Sequence, residues 1–206
     1  MTRIKLCGLT RPCDIETANA LRPAYIGFVF APGSRRYVPP AGAAALKAML
    51  HPSITAVGVF VKEAPETVAA LLARGVIDAA QLHGGEDAAY VARLRALTRR
   101  PLIQAFRVDS AADIAAAQGS PADYVLLDAG EGGTGTAFDW TLISGLARPY
   151  FLAGGLDATN VGAAVRLLRP YAVDVSSGIE CGGYKDAGKM REFVAAVREA
   201  MWEETI

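Results

Sequence analysis

The chain of 206 residues has few cysteines, few histidines and no net charge, and each shortage excludes a class of protein. Its three cysteines, Cys7, Cys13 and Cys181, are odd in number and lack metal-ligand spacing, so neither a disulfide framework nor a cysteine metal site is expected. Basic and acidic residues both number 21, which gives no overall field for nucleic acid or an anionic membrane. The apolar runs are too short to span a bilayer, and the N-terminus has no signal-peptide segment. We therefore expect a cytoplasmic enzyme with a small-molecule substrate.

Short apolar segments alternate with segments of helical character, which is the pattern of an α/β protein. The C-terminal ends of the apolar segments lie roughly 20 to 30 residues apart, a βα supersecondary period. No polar linker divides the chain, so residues 1–206 are expected to form one domain. The predicted strands are Ile4–Cys7, Tyr25–Phe30, Thr55–Val61, Ala79–His83, Leu102–Phe106, Tyr124–Asp128, Tyr150–Ala153 and Val173–Ser176.

Helix signals lie between the predicted strands. Proline at position 65 suits a first helical turn, and Asp157 is a candidate N-cap. Cys13 is expected to pack within the first helix. The clearest predicted helices are Glu63–Leu72, Asp87–Leu97, Asp157–Leu168 and a last one from about Lys185 to Trp202.

Eight strands alternating with eight helices form either a closed (β/α)8 barrel or an open doubly wound sheet. An open dinucleotide-binding sheet should carry G-x-G-x-x-G after its first strand, but Cys7-Gly8-Leu9-Thr10-Arg11 follows here. Polar and glycine residues lie instead at the C-terminal ends of several strands, and a barrel brings all eight of those ends to one face. We therefore predict a single-domain (β/α)8 TIM barrel.

Two glycine loops late in the chain predict a phosphate site. Gly154-Gly155 follows the seventh predicted strand, and Ser177-Gly178 follows the eighth. Glycine lets backbone N–H groups approach an anion closely, and barrels often bind a phosphate between these two loops. Either loop alone fits an ordinary turn before a helix equally well, but their pairing favours a phosphate.

A candidate acid and a candidate base also end strands. Asp128 closes an apolar strand, and partial burial would raise its pKa enough for a general acid, although a helix N-cap is an alternative role. The loop Gly130–Gly135 that follows is a candidate lid. Cys7 ends the first strand and is a candidate base or nucleophile if its surroundings lower the thiol pKa. Otherwise it is a small buried apolar residue.

Of the adjacent arginines Arg35 and Arg36, we expect one to be solvated, whereas the other is a candidate to clamp a carboxylate with its bidentate guanidinium. His83 is interpreted as a hydrogen-bonded residue at a strand end, His51 as a surface residue and Cys181 as a loop residue. A phosphate anchor, an acid and a base without a metal or nucleotide motif favour cofactor-free acid–base chemistry on a sugar phosphate, most simply an isomerisation.

Several short motifs are weak one by one but specific in their order and spacing. They are Lys5-Leu6-Cys7-Gly8-Leu9-Thr10-Arg11, Gly27-Phe28-Val29-Phe30, Ser34-Arg35-Arg36-Tyr37, Val57-Gly58-Val59-Phe60, Gln81-Leu82-His83-Gly84, Gly132-Gly133-Thr134-Gly135 with Phe138-Asp139-Trp140, Leu152-Ala153-Gly154-Gly155-Leu156, and Asp174-Val175-Ser176-Ser177-Gly178-Ile179-Glu180. In this order they closely resemble the phosphoribosylanthranilate isomerase family, barrel enzymes of tryptophan biosynthesis, over essentially the whole chain.

The resemblance implies an Amadori rearrangement of N-(5-phosphoribosyl)anthranilate without cofactor or metal. Asp128 would protonate the furanose ring oxygen so that the ring opens to a Schiff base. Cys7 would then remove the C2′ proton, and Arg36 would bind the anthranilate carboxylate. Backbone donors of the phosphate loops would hold the phosphate, at Gly154, Gly155, Ser177 and Gly178.

Two positions depart from the family pattern. Ala129 stands where relatives often have serine after the acid, and Cys181-Gly182-Gly183-Tyr184 stands where a Pro-Gly pair is common. Neither change removes a proposed catalytic group. The alternatives are another phosphate-binding barrel isomerase, which would typically pair two aspartates, and a non-catalytic phosphate-ligand binding barrel, which would leave Cys7 and Asp128 without a role. Both a monomer and a homodimer are compatible with the sequence.

Overall fold

A computed structural model describes residues 1–128, 143 and 145–202. Eight parallel strands form a closed barrel in which the order around the barrel is the order along the chain, and β1 pairs with β8. This confirms the predicted closed barrel, and every predicted strand ends within one residue of the observed one. The strands are β1 Arg3–Cys7, β2 Tyr25–Val29, β3 Thr55–Phe60, β4 Ala79–Leu82, β5 Leu102–Arg107, β6 Tyr124–Asp128, β7 Tyr150–Ala153 and β8 Ala172–Val175.

Seven α-helices occur in the described part of the chain and cover the outside of the barrel. Proline occupies the first turn of α1, α2 and α3, where its missing N–H has no partner to lose. The helices are α1 Pro12–Leu21, α2 Pro40–Met49, α3 Pro65–Ala73, α4 Ala88–Leu97, α5 Ala111–Gln118, α6 Val161–Leu168 and α7 Ala187–Trp202. Most of the segment between β6 and β7, with Ala129 and the predicted lid Gly130–Gly135, lies outside the described residues.

The core has two layers because parallel strands are covered on both faces. The outer layer lies between strands and helices and contains fully buried rings such as Phe28 and Phe60. The lower interior of the barrel is filled around Phe151, which is also fully buried. No helix in the described ranges is long and apolar enough to cross a membrane.

Aromatic side chains close the base of the barrel, at the N-terminal ends of the strands. The ring of Phe151 packs edge-on against Tyr25 and Tyr124, with centroids 5.3 and 5.8 Å apart. The Tyr25 and Tyr171 hydroxyls lie 2.9 Å apart, and Tyr171 donates to the Tyr124 hydroxyl at 3.3 Å. The guanidinium of Arg3 lies 4.4 Å from the centroid of the Tyr171 ring. The base is therefore a packed plug whose hydroxyls bond to one another.

Two predictions about helices were wrong, the N-cap role of Asp157 and the packing of Cys13, and the last helix begins two residues later than predicted. Helix α6 begins at Val161 rather than at 157, because the carboxylate of Asp157 accepts hydrogen bonds from the N–H groups of Thr159 and Asn160 in the preceding turn. Cys13 is exposed, because it lies on the solvent side of α1. Helix α7 begins at Ala187, since the residues before it form a short antiparallel hairpin, β9 Glu180–Cys181 with β10 Tyr184–Lys185.

Candidate active site

A cavity of about 310 Å³ lies at the C-terminal ends of the strands. Side chains at these ends converge because all eight strands run the same way around a closed barrel. The predicted site residues that line the cavity are Cys7, Arg36, Asp128, Gly154, Gly155 and Ser177. Gly178 is not among the lining residues. The cavity lies in the lower part of the range typical of small-molecule sites.

Cys7 is the last residue of β1 and is 7% exposed. Burial raises the pKa of its thiol, and the ammonium group of Lys5 acts in the opposite direction. Asp174 reinforces the rise and Lys185 opposes it. The sequence-based hypothesis of a base at this position required a lowered thiol pKa. The pKa is instead raised, because removal from water outweighs the nearby cations.

A buried ion pair lies one layer below Cys7. Lys5 is fully buried, and its ammonium donates to Asp174 Oδ2 at 2.8 Å. The two residues are register partners in β1 and β8, so strand pairing sets this contact. Alternation along β1 places Lys5 on the same face as Cys7. Asp174 also lines the cavity.

Asp128, the last residue of β6, forms a pair with His83. Its carboxylate Oδ2 lies 3.2 Å from His83 Nε2, and its side chain is 30% exposed. The other ring nitrogen, Nδ1, lies 2.8 Å from the amide nitrogen of Gln81, which is 1% exposed. An amide nitrogen can only donate, so Nδ1 accepts and Nε2 carries the proton that faces Asp128. His83 is hydrogen-bonded at a strand end, as predicted, and its partner is the candidate acid.

Arg36 follows β2, and its guanidinium forms a bidentate pair with Glu180. Nε donates to Oε1 at 2.6 Å, and Nη2 donates to Oε2 at 2.8 Å. Glu180 also accepts from the ammonium of Lys185 at 2.6 Å. Burial acts to raise the pKa of Glu180, but hydrogen bonds from Arg36 and Lys185 outweigh it and lower the pKa to about 2. Arg35 is exposed, which fits the prediction that one of the two arginines is solvated.

The two predicted phosphate loops pack directly on each other. Gly154 and Gly155 have φ angles of 92° and 62°, in the left-handed region that glycine adopts without strain. A side chain at Gly178 would place its Cβ 2.0 Å from the carbonyl oxygen of Leu156, so glycine is required for this contact. The N–H groups of Gly155 and Ser177 donate to no other residue in the described part of the chain. Such N–H groups beside a cavity suit an anion.

Four charged residues of this region were not singled out from the sequence: Lys5, Asp174, Glu180 and Lys185. The sequence signal for the first two is a lysine inside the apolar strand Ile4–Cys7 and an aspartate inside β8. Charged side chains that are buried in strands need a partner, so these two residues could have been predicted to pair. No group of three or more His, Cys, Asp or Glu side chains that could hold a metal ion occurs within the described ranges. The arrangement suits acid–base chemistry on a small anionic molecule with a phosphate at one end.

Known proteins resemble the chain over nearly its whole length. The sequence profile described as N-(5′phosphoribosyl)anthranilate (PRA) isomerase matches residues 4–196. An N-(5′-phosphoribosyl)anthranilate isomerase from Dechloromonas aromatica (strain RCB) is 48% identical over 206 residues, 97% of each chain. A solved structure of monomers of the dimeric Thermotoga maritima enzyme has a TM-score of 0.86 and 34% identity, covering 97% of this chain and 100% of that one. Another solved phosphoribosylanthranilate isomerase, in complex with reduced 1-(o-carboxyphenylamino)-1-deoxyribulose 5-phosphate, has a TM-score of 0.85 and 33% identity, with 97% and 100% coverage.

Proposed function

The chain belongs to the N-(5′-phosphoribosyl)anthranilate isomerase family, and we propose that Cys7 and Asp128 are the base and the acid of its reaction. The enzyme converts N-(5-phosphoribosyl)anthranilate to 1-(2-carboxyphenylamino)-1-deoxyribulose 5-phosphate by an Amadori rearrangement, a step of tryptophan biosynthesis. The observation that carries the assignment of roles is that both side chains line one cavity together with the two glycine loops.

Asp128 carries out the first step as general acid. Its carboxyl group gives a proton to the furanose ring oxygen, the bond from C1′ to that oxygen breaks, and the anthranilate nitrogen forms a double bond to C1′. The N–H of His83 faces the same carboxylate at 3.2 Å and stabilises the negative charge that the carboxylate gains. Proton transfer by a positioned side chain typically contributes about 10²–10⁴-fold to the rate.

Cys7 carries out the second step as general base. Its thiolate takes the proton from C2′, the released electrons form a C1′–C2′ double bond, and the electrons of the C=N bond return to nitrogen. The resulting enolamine tautomerises to the ketone. Burial raises the pKa of this thiol, and the ammonium group of Lys5 acts in the opposite direction and favours the thiolate that accepts the proton.

The two ends of the substrate bind on different loops. Arg36 binds the anthranilate carboxylate, since a guanidinium matches a carboxylate with parallel N–H groups. The phosphate binds between the loop of Gly154 and Gly155 and the loop of Ser177 and Gly178. Gly178 does not line the cavity, and its packing on Leu156 supports the proposal by holding the two loops together.

All proposed groups lie on one chain, so we infer that a single copy within residues 1–206 forms a complete site, as a monomer or within a homodimer. The Thermotoga maritima relative is dimeric, and a second subunit is then not required for catalysis by this chain. We also infer a cytoplasmic location, because the three unpaired cysteines suit a reducing compartment.

Turnover of freshly prepared phosphoribosylanthranilate by the purified chain tests the proposal. We expect product formation without added cofactor or metal, and unchanged rates after treatment with a chelator. The protein should also restore growth of a tryptophan auxotroph that lacks this step. A folded preparation with no turnover and no rescue would contradict the proposed function.

A further inference from the structure

Glu180 holds two cations at the edge of the cavity, and the acid–base steps use neither it nor Lys185. Its side chain is 10% exposed, and that of Lys185 is only 2% exposed. Glu180 bonds Arg36 through both carboxylate oxygens and Lys185 through one. Buried charges are costly to keep, and a buried pair that contacts a ligand-binding arginine suggests a role beyond stability.

The contact with Glu180 leaves one particular edge of Arg36 available. A guanidinium offers two pairs of parallel N–H groups, one on Nε and Nη2 and the other on Nη1 and Nη2. Glu180 occupies the Nε and Nη2 edge at 2.6 and 2.8 Å. Nη1 has no hydrogen-bond partner among residues 1–128, 143 and 145–202, and Arg36 lines the cavity. The second edge is therefore the one that can meet a carboxylate ligand.

Lys185 connects this carboxylate to the phosphate end of the cavity. Its ammonium donates to the Ser176 carbonyl oxygen at 2.9 Å and contacts the Ser176 hydroxyl at 3.2 Å. Ser176 lines the cavity directly before Ser177, and its hydroxyl donates to the carbonyl oxygen of Cys7 at 3.2 Å. A continuous set of contacts thus runs from the guanidinium to the loop after β8.

We propose that Glu180 and Lys185 are positioning residues that fix Arg36 with its Nη1 and Nη2 edge toward the substrate carboxylate, at a set distance from the phosphate loop. The proposal rests on the proposed function. It adds the residues that make the enzyme prefer a substrate with a carboxylate on its aromatic ring. Holding the guanidinium before binding reduces the side-chain entropy lost when the substrate binds.

Binding of two ligands by a charge-free double variant tests this role. Glu180→Gln with Lys185→Met removes both charges, so neither is left buried without its partner. The ligands are reduced 1-(o-carboxyphenylamino)-1-deoxyribulose 5-phosphate and the same compound without the ring carboxyl group. We expect the double variant to bind the carboxylate ligand about 10- to 100-fold more weakly, the range for hydrogen bonds to charged groups. Binding of the second ligand should stay nearly unchanged.

Steady-state kinetics and a thermodynamic mutant cycle distinguish a positioning role from a purely structural one. KM for the true substrate should rise more than kcat falls, because the carboxylate contact is made in both ground and transition states. In an Arg36→Ala background the double substitution should cause no further loss of binding. Glu180→Asp, which keeps the charge but shortens the side chain, should cause a smaller loss of the same selective kind. Lys189→Met is the matched control, since the ammonium of this exposed lysine donates to the backbone oxygen of Glu180 and not to its carboxylate.

Two results would overturn the proposal. Equal weakening of both ligands would show a purely structural role, and tighter binding of the carboxylate ligand would show that Glu180 competes with the substrate for Arg36. Each variant is compared with the unsubstituted chain in the same turnover assay. A failure of the proposed function would appear in the unsubstituted chain, whereas a failure of this inference would appear only in the variants.

Discussion

The two ends of the barrel are built from the same eight strands but use their polar groups in opposite ways. At the base, the hydroxyls of Tyr25, Tyr124 and Tyr171 bond to one another around the ring of Phe151. At the mouth, buried polar atoms lack partners: Gln81 Oε1 and Asp174 Oδ1 have no hydrogen bond in the described part of the chain. The mouth also contains a cavity of about 310 Å³.

The difference shows where this chain places stability and where it places chemistry. Buried polar groups usually have partners, and incomplete satisfaction is characteristic of functional sites. In barrels of this kind the C-terminal face carries catalysis and the opposite face carries stability. Substitutions at the mouth should therefore change turnover more than the free energy of unfolding, and substitutions at the base should do the reverse.

The largest difference between the effect on turnover and the effect on stability is expected for the proposed acid and base. Cys7→Ala and Asp128→Asn should each lower kcat by about 10²–10⁴-fold, because each removes a proposed proton-transfer group. Thermal unfolding should change little. Steady-state assays beside thermal unfolding curves check this, with the exposed Cys13→Ala as the matched control. Retained kcat in Cys7→Ala would assign the base to another residue.

The reverse separation is expected at Phe151. Phe151→Ala should lower the free energy of unfolding by about 3–5 kcal/mol, because it opens a cavity among rings that pack at 5.3 and 5.8 Å. The kcat of the folded fraction should be close to that of the unsubstituted protein. Denaturant unfolding and active-site-normalised rates check both parts. Leu167→Ala, at a side chain that is 67% exposed, is the control. A loss of kcat without a loss of stability would contradict the assignment of stability to the base and of turnover to the mouth.

Substitution of Arg36, at the mouth, is expected to have an intermediate effect on turnover. Arg36→Ala should raise KM by about 10- to 100-fold with a smaller change in kcat, since a hydrogen bond to a charged group is worth about 1.5–3 kcal/mol. The neighbouring Arg35→Ala is the matched control, because Arg35 is exposed. A drop in kcat with KM unchanged would show that the guanidinium acts only in the transition state.

Tyr171→Phe sharpens the comparison at the base with a smaller change. It removes the hydroxyl that joins Tyr25 to Tyr124 and should lower the free energy of unfolding by about 1 kcal/mol without changing KM or kcat. Denaturant titration measures the shift, and Tyr37→Phe at the exposed mouth is the control. Unchanged stability would show that the hydroxyls are satisfied equally well by water.

The smallest expected change is a shift in the pH profile of Cys7. A thiolate reacts with iodoacetamide and a thiol does not, and burial raises the pKa of Cys7, so its alkylation should rise only above the pH of an ordinary thiol, about 8.5. Lys185→Met should move the profile to still higher pH, because it removes a cation that favours the thiolate. The measurement uses Cys13→Ser/Cys181→Ser protein. A chain with Cys181 as its only cysteine serves as the reference, and a Cys7 midpoint at or below that reference would be contrary to the structure.

The sequence predicted the strands well, for a physical reason, and six of the predicted site residues line one cavity. Strands buried on both faces are nearly continuous apolar runs, and Asp128 and Cys7 are visible as the polar residues that end such runs. The hairpin of β9 and β10 was missed because two-residue strands have no periodicity. The pairing of Arg36 with Glu180 was missed because the two residues lie 144 positions apart in the chain.

Local sequence propensity also gave wrong predictions where a side chain can make its hydrogen bonds in more than one local structure. Asp157 can accept hydrogen bonds as a helix cap or within a turn, and the structure has the turn. Cys13 was expected to be packed because free cysteines usually are, but α1 faces solvent at that position. The raised thiol pKa of Cys7 depends on burial by the rest of the barrel, which no local pattern reports.

The seam between β1 and β8 links closure of the barrel to the surroundings of Cys7. Lys5 and its carboxylate partner Asp174 lie 169 residues apart in the chain. Until β8 docks, a lysine that must be buried has no counter-charge, and burying it alone is strongly unfavourable. The interior below Cys7 can therefore exclude water only once β8 has paired with β1. The surroundings of the Cys7 thiol are therefore complete only when the first and the last strand of the barrel pair.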